Sequence, residues 1–294
     1  MSVYLWDPRD CRLEETAADI SAWLLKAADS WFVEDGCVRA FDRHRERFGD
    51  AVSQLGVAEM VSDDFWAAVI SLIPETGEWF PRVDVLEPSA RAEPVLAFRL
   101  RPAPERTREL QVQVPSHPDP RITPGRKGPD IALLSQLLAR AKADFDCSEV
   151  LLLSDDGFVI EGATTSLLWW EGQTLCAPTL ELGALSGVTS AVVLDVARSR
   201  SIPVEFRRAL PEELFGHEVW LVNALHGIRR VREFVDARSG NRNVSPLGEE
   251  SERFVQWRMW LKSARRPLCS RKTTATLSEP ETERDRRDSG LTKP

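Results

Sequence analysis

Apolar residues recur at intervals of three and four through residues 13–28 (Ile20, Trp23, Leu24, Ala27), a spacing that predicts a helix with its acidic residues facing outward. Residues 42–55 predict a second helix. Ser62-Asp63-Asp64 ahead of Phe65-Trp66-Ala67-Ala68-Val69-Ile70 gives a third helix a capping hydroxyl and an acidic first turn. Between these, strand-like pieces separated by turn residues take over. Trp31-Phe32-Val33 and Val38-Arg39-Ala40-Phe41 flank Glu34-Asp35-Gly36 as a predicted hairpin, and residues 97–101 and 110–114 predict another strand pair. Three prolines in residues 115–120, with Pro124-Gly125 after them, fix φ and remove donors, which predicts an interdomain linker over residues 115–125.

Beyond the linker the pattern predicts a helix over 131–145, a hairpin over 150–160 around Asp156-Gly157, and strands over 166–170, 175–177 and 219–222. Further helices are predicted over 188–200 and 249–261. The fold class is therefore α+β in two domains: a smaller one over residues 1–114 and a larger one over 126–262, each a sheet or barrel-like sheet with packed helices. From 263 to 294 the large aliphatic residues are Leu268, Leu277 and Leu291, too few to offset the entropy of ordering, and a disordered tail is predicted.

Composition narrows the function classes. The 294 residues carry a net charge of −8, which argues against a nucleic-acid groove, and the four histidines are scattered. Five cysteines without any Cys-x-x-Cys predict free thiols and neither a disulfide framework nor a metal site. No apolar run approaches the ~18 residues of a membrane span, and acidic residues interrupt the first thirty, so a cytoplasmic location is expected. A small-molecule enzyme or a binding protein remains.

Three local contexts carry candidate chemistry. Lys127 lies in Thr123-Pro124-Gly125-Arg126-Lys127-Gly128-Pro129-Asp130, on stiff backbone where two domains meet; it reads either as a solvated loop lysine or as a Schiff-base lysine. Glu161 ends an apolar strand before small residues, as a rim charge or as a buried anion that needs a cation. The turn from Gly183 to Gly187 opens onto an apolar helix, either as plain capping or as a phosphate site built from free N–H groups.

The order and spacing of Lys127, Glu161-Gly162, Cys176-Ala177-Pro178, Leu185-Ser186-Gly187-Val188-Thr189 and the segment 218–231, with His44-Arg45-Glu46-Arg47 upstream, resemble the class IV aminotransferases. These are the fold type IV pyridoxal-phosphate enzymes, including branched-chain and D-amino acid aminotransferases and aminodeoxychorismate lyase. The resemblance implies pyridoxal 5'-phosphate as cofactor, in a Schiff base with the catalytic Lys127. It implies that Glu161 pairs with the pyridine nitrogen, and that Arg47, Gly187, Val188 and Thr189 hold the phosphate, with Asn223 and Ala224 on the phosphate-side turn. It also implies an amino acid or keto acid substrate and a homodimer, with no nucleic acid, membrane or metal partner.

The sequence departs from the family pattern in places. Ser166 replaces the usual Asn, the single tyrosine is Tyr4, and Ala224 stands where a hydroxyl residue is usual. The Asn223-Ala224-Leu225 turn is closer to aminodeoxychorismate lyase than to the aminotransferases. Pro104-Glu105-Arg106-Thr107-Arg108 lies roughly where D-amino acid aminotransferases trap the substrate carboxylate, so Arg106 and Arg108 are candidate substrate residues, as is Thr165. The resulting expectation is an aminotransferase, with aminodeoxychorismate lyase and a non-catalytic scaffold of the same fold as alternatives.

Overall fold

The computed structural model describes residues 2–89, 92–244 and 250–268. In the first half a five-stranded antiparallel sheet runs in the order Arg12–Glu15, Ser2–Asp7, Val95–Leu100, Arg82–Glu87 and Leu24–Ser30. The predicted helix over 13–28 is absent, its ends being two of these strands. Its three-four spacing is used by the turn at Ile20 to Trp23, whose side chains pack with Val3, Leu5 and Leu86. The six-residue pairing of Leu24–Ser30 with Arg82–Glu87 overrides the local helical signal.

The next two helices form where the pattern placed them. Helix α1, Phe41–Gln54, buries His44, Phe48, Ala51 and Val52 along one stripe. Helix α2, Asp63–Ser71, is capped by Ser62 Oγ, which accepts from Phe65 N at 3.1 Å. Both pack with Trp31 and Trp66 in an edge-to-face aromatic core that also takes Phe41 and Phe65.

The second half is a nine-stranded mixed sheet. Its order is Val159–Gly162, Glu149–Leu153, Glu109–Val114, Gly227–Asp236, Glu218–Asn223, Ser166–Glu171, Thr174–Pro178 and Val204–Arg207, with Arg242–Val244 added beside Gly227–Asp236. Residues 110–114 therefore do not pair with 97–101. They lie parallel to Glu149–Leu153 and Gly227–Asp236, because alternation fixes which faces a strand presents but not its neighbours. Helix α3, Ile131–Phe145, covers one side. Helices α4, Val188–Ser199, and α5, Glu252–Ser263, pack over a Trp170, Trp220 and Trp257 cluster.

A small third sheet joins Val33–Glu34, Cys37–Arg39, Glu78–Trp79 and Arg265–Pro267. The predicted disordered tail thus begins with an ordered strand, held by pairing with Cys37–Arg39 and by Leu268 packing on the first core. The remainder of that prediction, 269–294, and residue 249 of the predicted last helix lie outside the described residues. Among the described residues no helix is long and apolar enough to cross a membrane.

Candidate active site

A cavity of about 340 Å³ is lined from both halves: Ser30, His44, Arg47, Arg82 and Arg101 on one side, Lys127, Glu161 and the start of α4 on the other. Lys127 is placed by its neighbours. Its carbonyl accepts from Ala28 N at 2.8 Å, and Gly128, at φ +140°, brings the backbone so close to Leu24–Ser30 that a Cβ there would stand 2.7 Å from Ala27 Cα. No side-chain hydrogen bond or ion pair engages its amine among the described residues. Burial, then the nearby Arg47 guanidinium, pushes the Lys127 ammonium down to about 8.

Glu161 is a buried anion, 4% exposed. Its Oε1 accepts from Arg121 Nη1 at 2.7 Å and from Leu185 N at 2.9 Å, which leaves Oε2 without a hydrogen bond among the described residues. Burial raises its pKa, and Arg121 opposes that shift. Beneath the turn that follows, Glu149 accepts from Thr164 Oγ1 at 2.7 Å and from Thr165 Oγ1 at 3.2 Å. The Thr165 hydroxyl is therefore committed to the protein, although the residue lines the cavity.

At the start of α4 the N-cap is Gly187, and no side chain among the described residues caps the helix, so its first N–H groups remain available to a ligand. Arg47 reaches it by donating from Nη1 to Ser186 O at 3.0 Å. The same guanidinium clasps Asp29 through Nε at 2.7 Å and Nη2 at 3.0 Å, and His44 Nδ1 meets Asp29 at 2.7 Å. Asp29 is fully buried; burial would raise its pKa, but Arg47 and His44 prevail and hold it well below the usual carboxylate range.

The structure thus brings Arg47, Lys127, Glu161, Thr165, Gly187, Val188, Thr189, Asn223 and Ala224 to one cavity. It does not bring Arg106 or Arg108 there. Arg106 stacks over Phe32 at 4.2 Å and pairs with Glu78 at 2.6 Å, while Arg108 reaches toward Glu250 at 3.4 Å. Sequence reasoning missed Arg121, Asp29, Arg82 and Arg101. Arg121 sat in a presumed linker and Asp29 next to a presumed helix, and their partners, such as Glu161 and Arg47, are distant in the chain.

The model of the class IV amino-transferase family matches residues 26–234. A Thermotoga maritima protein described as a probable branched-chain-amino-acid aminotransferase is 31% identical over 121 residues, 38% of this chain and 44% of that protein. Aminodeoxychorismate lyase of Bacillus subtilis is 30% identical over 78 residues, 26% of this chain and 27% of that enzyme. The matched stretch is thus less than half of either relative. Among solved structures, a hypothetical aminotransferase from Mycobacterium tuberculosis in its PLP-bound form superposes with TM-score 0.73 at 16% identity, covering 90% of this chain and 98% of that one. The branched-chain amino acid aminotransferase of Escherichia coli gives 0.72 at 16% identity, over 90% and 94%. Identity that low carries the fold alone, but the family match extends across both halves of the cavity, and the chain belongs to the class IV aminotransferases, a family that works with pyridoxal phosphate.

Proposed function

We propose that this protein is a pyridoxal-phosphate-dependent aminotransferase acting on an amino acid, with Lys127 as its catalytic residue. The observation that carries the reading is convergence in one cavity, among the described residues, of an amine with no hydrogen-bond or ion-pair partner, a buried carboxylate with one oxygen free, and a helix start without a side-chain cap beside an arginine. Each fits one part of the cofactor. Gly187, Val188 and Thr189 at the start of α4, with Arg47, suit a phosphate. Glu161 Oε2 suits a protonated ring nitrogen, and Arg121 holds the carboxylate in place. Asn223 and Ala224 close the phosphate side, where Asn223 Oδ1 accepts from His226 N at 2.8 Å and shapes the turn.

When bound, pyridoxal phosphate supplies an aldehyde that condenses with amines and a ring that draws electrons from the substrate α-carbon. The protein's own residues do the rest. Lys127 Nζ, depressed to about 8, is neutral in a useful fraction near neutral pH and so can accept and return a proton. For the substrate carboxylate the favoured partner is Arg101, which meets no carboxylate among the described residues and donates to Phe80 O at 2.7 Å and to Ser30 Oγ at 3.5 Å. Arg82, in contrast, is taken by Asp84. The working unit in this reading is a homodimer, which sedimentation measures.

Borohydride reduction of the purified protein with pyridoxal phosphate, followed by peptide mapping, is expected to label Lys127. Label elsewhere, or no label, would overturn the assignment. A second reading, aminodeoxychorismate lyase, draws on the Asn223-Ala224-Leu225 turn and the partial match to the Bacillus enzyme. Pyruvate release from aminodeoxychorismate without a keto acid acceptor would favour it over transamination.

A further inference from the structure

A second cavity of about 290 Å³ adjoins the first, with Leu225 and His226 lining both. In a chain of net charge −8, its lining has the opposite balance: Arg39, Arg106, Arg108, Arg258, Lys262 and Arg265 against Glu34 and Glu250. These cations come from a strand, a loop, α5 and the last described strand, so the fold assembles them and no local charge run does. The acids present are already engaged. Glu34 takes Arg265, Arg106 at 3.3 Å and Lys262 at 3.9 Å, and Glu250 lies 3.4 Å from Arg108.

Among the described residues neither Arg39 nor Arg258 makes an ion pair, and the one carboxylate acting on Arg258 from beyond contact distance, Glu250, already faces Arg108. Arg39 is only 8% exposed, and its contacts are the carbonyl oxygens of Leu261 and Ala224, each at the long distance of 3.4 Å. Arg258 donates to Ile228 O. Burial, reinforced by Arg106 and Arg258, lowers the Arg39 guanidinium to about 10. A buried cation held by two weak carbonyl contacts carries a desolvation cost that an anion in the adjacent cavity would remove. Such a lining also concentrates positive potential between low-dielectric walls.

We propose that this cavity binds a compact polyanion bearing two or more phosphate or carboxylate groups, with Arg39 and Arg258 as its principal partners. The turn it shares with the catalytic cavity makes two sources chemically equivalent: a free polyanionic effector, or the distal anionic group of a substrate whose amino end lies at Lys127. In either case His226 forms part of the wall, its Nδ1 accepting from Thr107 N at 3.1 Å.

The test is calorimetric titration of the cofactor-loaded full chain with inorganic pyrophosphate at low ionic strength. Loading fills the phosphate site of the first cavity, and visible absorbance follows that step separately. Wild type is expected to bind, Arg258→Gln and Arg39→Gln to bind at least tenfold more weakly, and Arg198→Gln, outside both cavities, to match wild type. The deciding variant is Arg258→Gln, because Arg39 is buried and its replacement is read only alongside a melting curve. Absence of binding by wild type, or equal affinity in Arg258→Gln, overturns the proposal. Donor half-reactions identify the source: a KM raised in Arg258→Gln for glutamate but not for alanine assigns the anion to the substrate. Unchanged KM values with pyrophosphate binding lost assign it to an effector.

Discussion

Stripped of cofactor, the protein should present Lys127 as an amine that titrates near 8 instead of near the ordinary lysine value of 10.5. At pH 7 a group with the lower value is neutral in about 9% of molecules, and one with the ordinary value in about 0.03%, a difference of roughly 300-fold. Only the neutral amine is nucleophilic, so a limiting amine reagent should modify Lys127 along a pH curve whose midpoint lies near 8. Mass spectrometry of the peptide containing Lys127 provides the readout, with exposed Lys142 as an internal reference. Restricted access would scale the whole curve without moving its midpoint. Arg82 is among the cations that depress Lys127, and it shares Asp84 with Arg99, so Arg82→Met should raise the midpoint without leaving that carboxylate unpaired. The same displacement, about 3 kcal/mol, has a stability counterpart. Between pH 8 and 10.5 the unfolded chain keeps a proton that the folded chain has lost, so stability rises with pH across that window. Apo Lys127→Met should therefore exceed apo wild type by up to ~3 kcal/mol at pH 7, the gap closing above pH 10.5. A labelling midpoint near 10, or a pH-independent gap, would refute the reasoning.

Exchanging Glu161 for Gln should leave borohydride labelling of Lys127 intact while slowing donor half-reactions by about 100-fold, or ~2.7 kcal/mol, in single-turnover measurements. Asp29→Asn deprives Arg47 and His44 of their buried counter-charge and should cost about 3–5 kcal/mol by urea denaturation. Because its folded pKa is depressed, Asp29 contributes stability above the ordinary carboxylate range that is lost as pH falls below it, so wild type and Asp29→Asn should converge in acid. Gly128→Ala places a methyl group against Ala27 backbone at a positive φ and should lower the unfolding free energy from urea denaturation by about 1–3 kcal/mol, with labelling of Lys127 altered in parallel. A chain ending at residue 263 should be less stable than one ending at 268 by about 1–3 kcal/mol, since only the latter keeps the strand Arg265–Pro267 and the contact of Leu268; thermal melts of the two truncations compare them.

Periodicity and local chemistry determined much of the second half. The limits of α3 follow from its apolar spacing, the hairpin of Glu149–Leu153 and Val159–Gly162 from Asp156-Gly157, and α2 from its capping serine, because each depends on residues close together in the chain. Lys127, Glu161 and the start of α4 could be read from sequence for a related reason: their stiff or small neighbours leave a local trace, and their order matches a family pattern.

What closes around those residues was decided by tertiary structure. Whether Glu109–Val114 pairs within the first half or the second is invisible to an alternating pattern, which is the same in either sheet. Residues 13–28 satisfy a helical period locally, yet pairing with Arg82–Glu87 at the sheet edge buries Ala27, Ala28, Asp29 and Ser30 together, which a signal confined to nearby residues cannot reveal. Arg121 on Glu161, Asp29 under Arg47 and the removal of Arg106 and Arg108 to a second cavity all depend on contacts between distant segments. The sequence determined which groups could do the chemistry. Only the packed structure decided which charges are compensated and which remain available to a ligand, because desolvation and pairing energies depend on what surrounds a group in space and not on its neighbours in the chain.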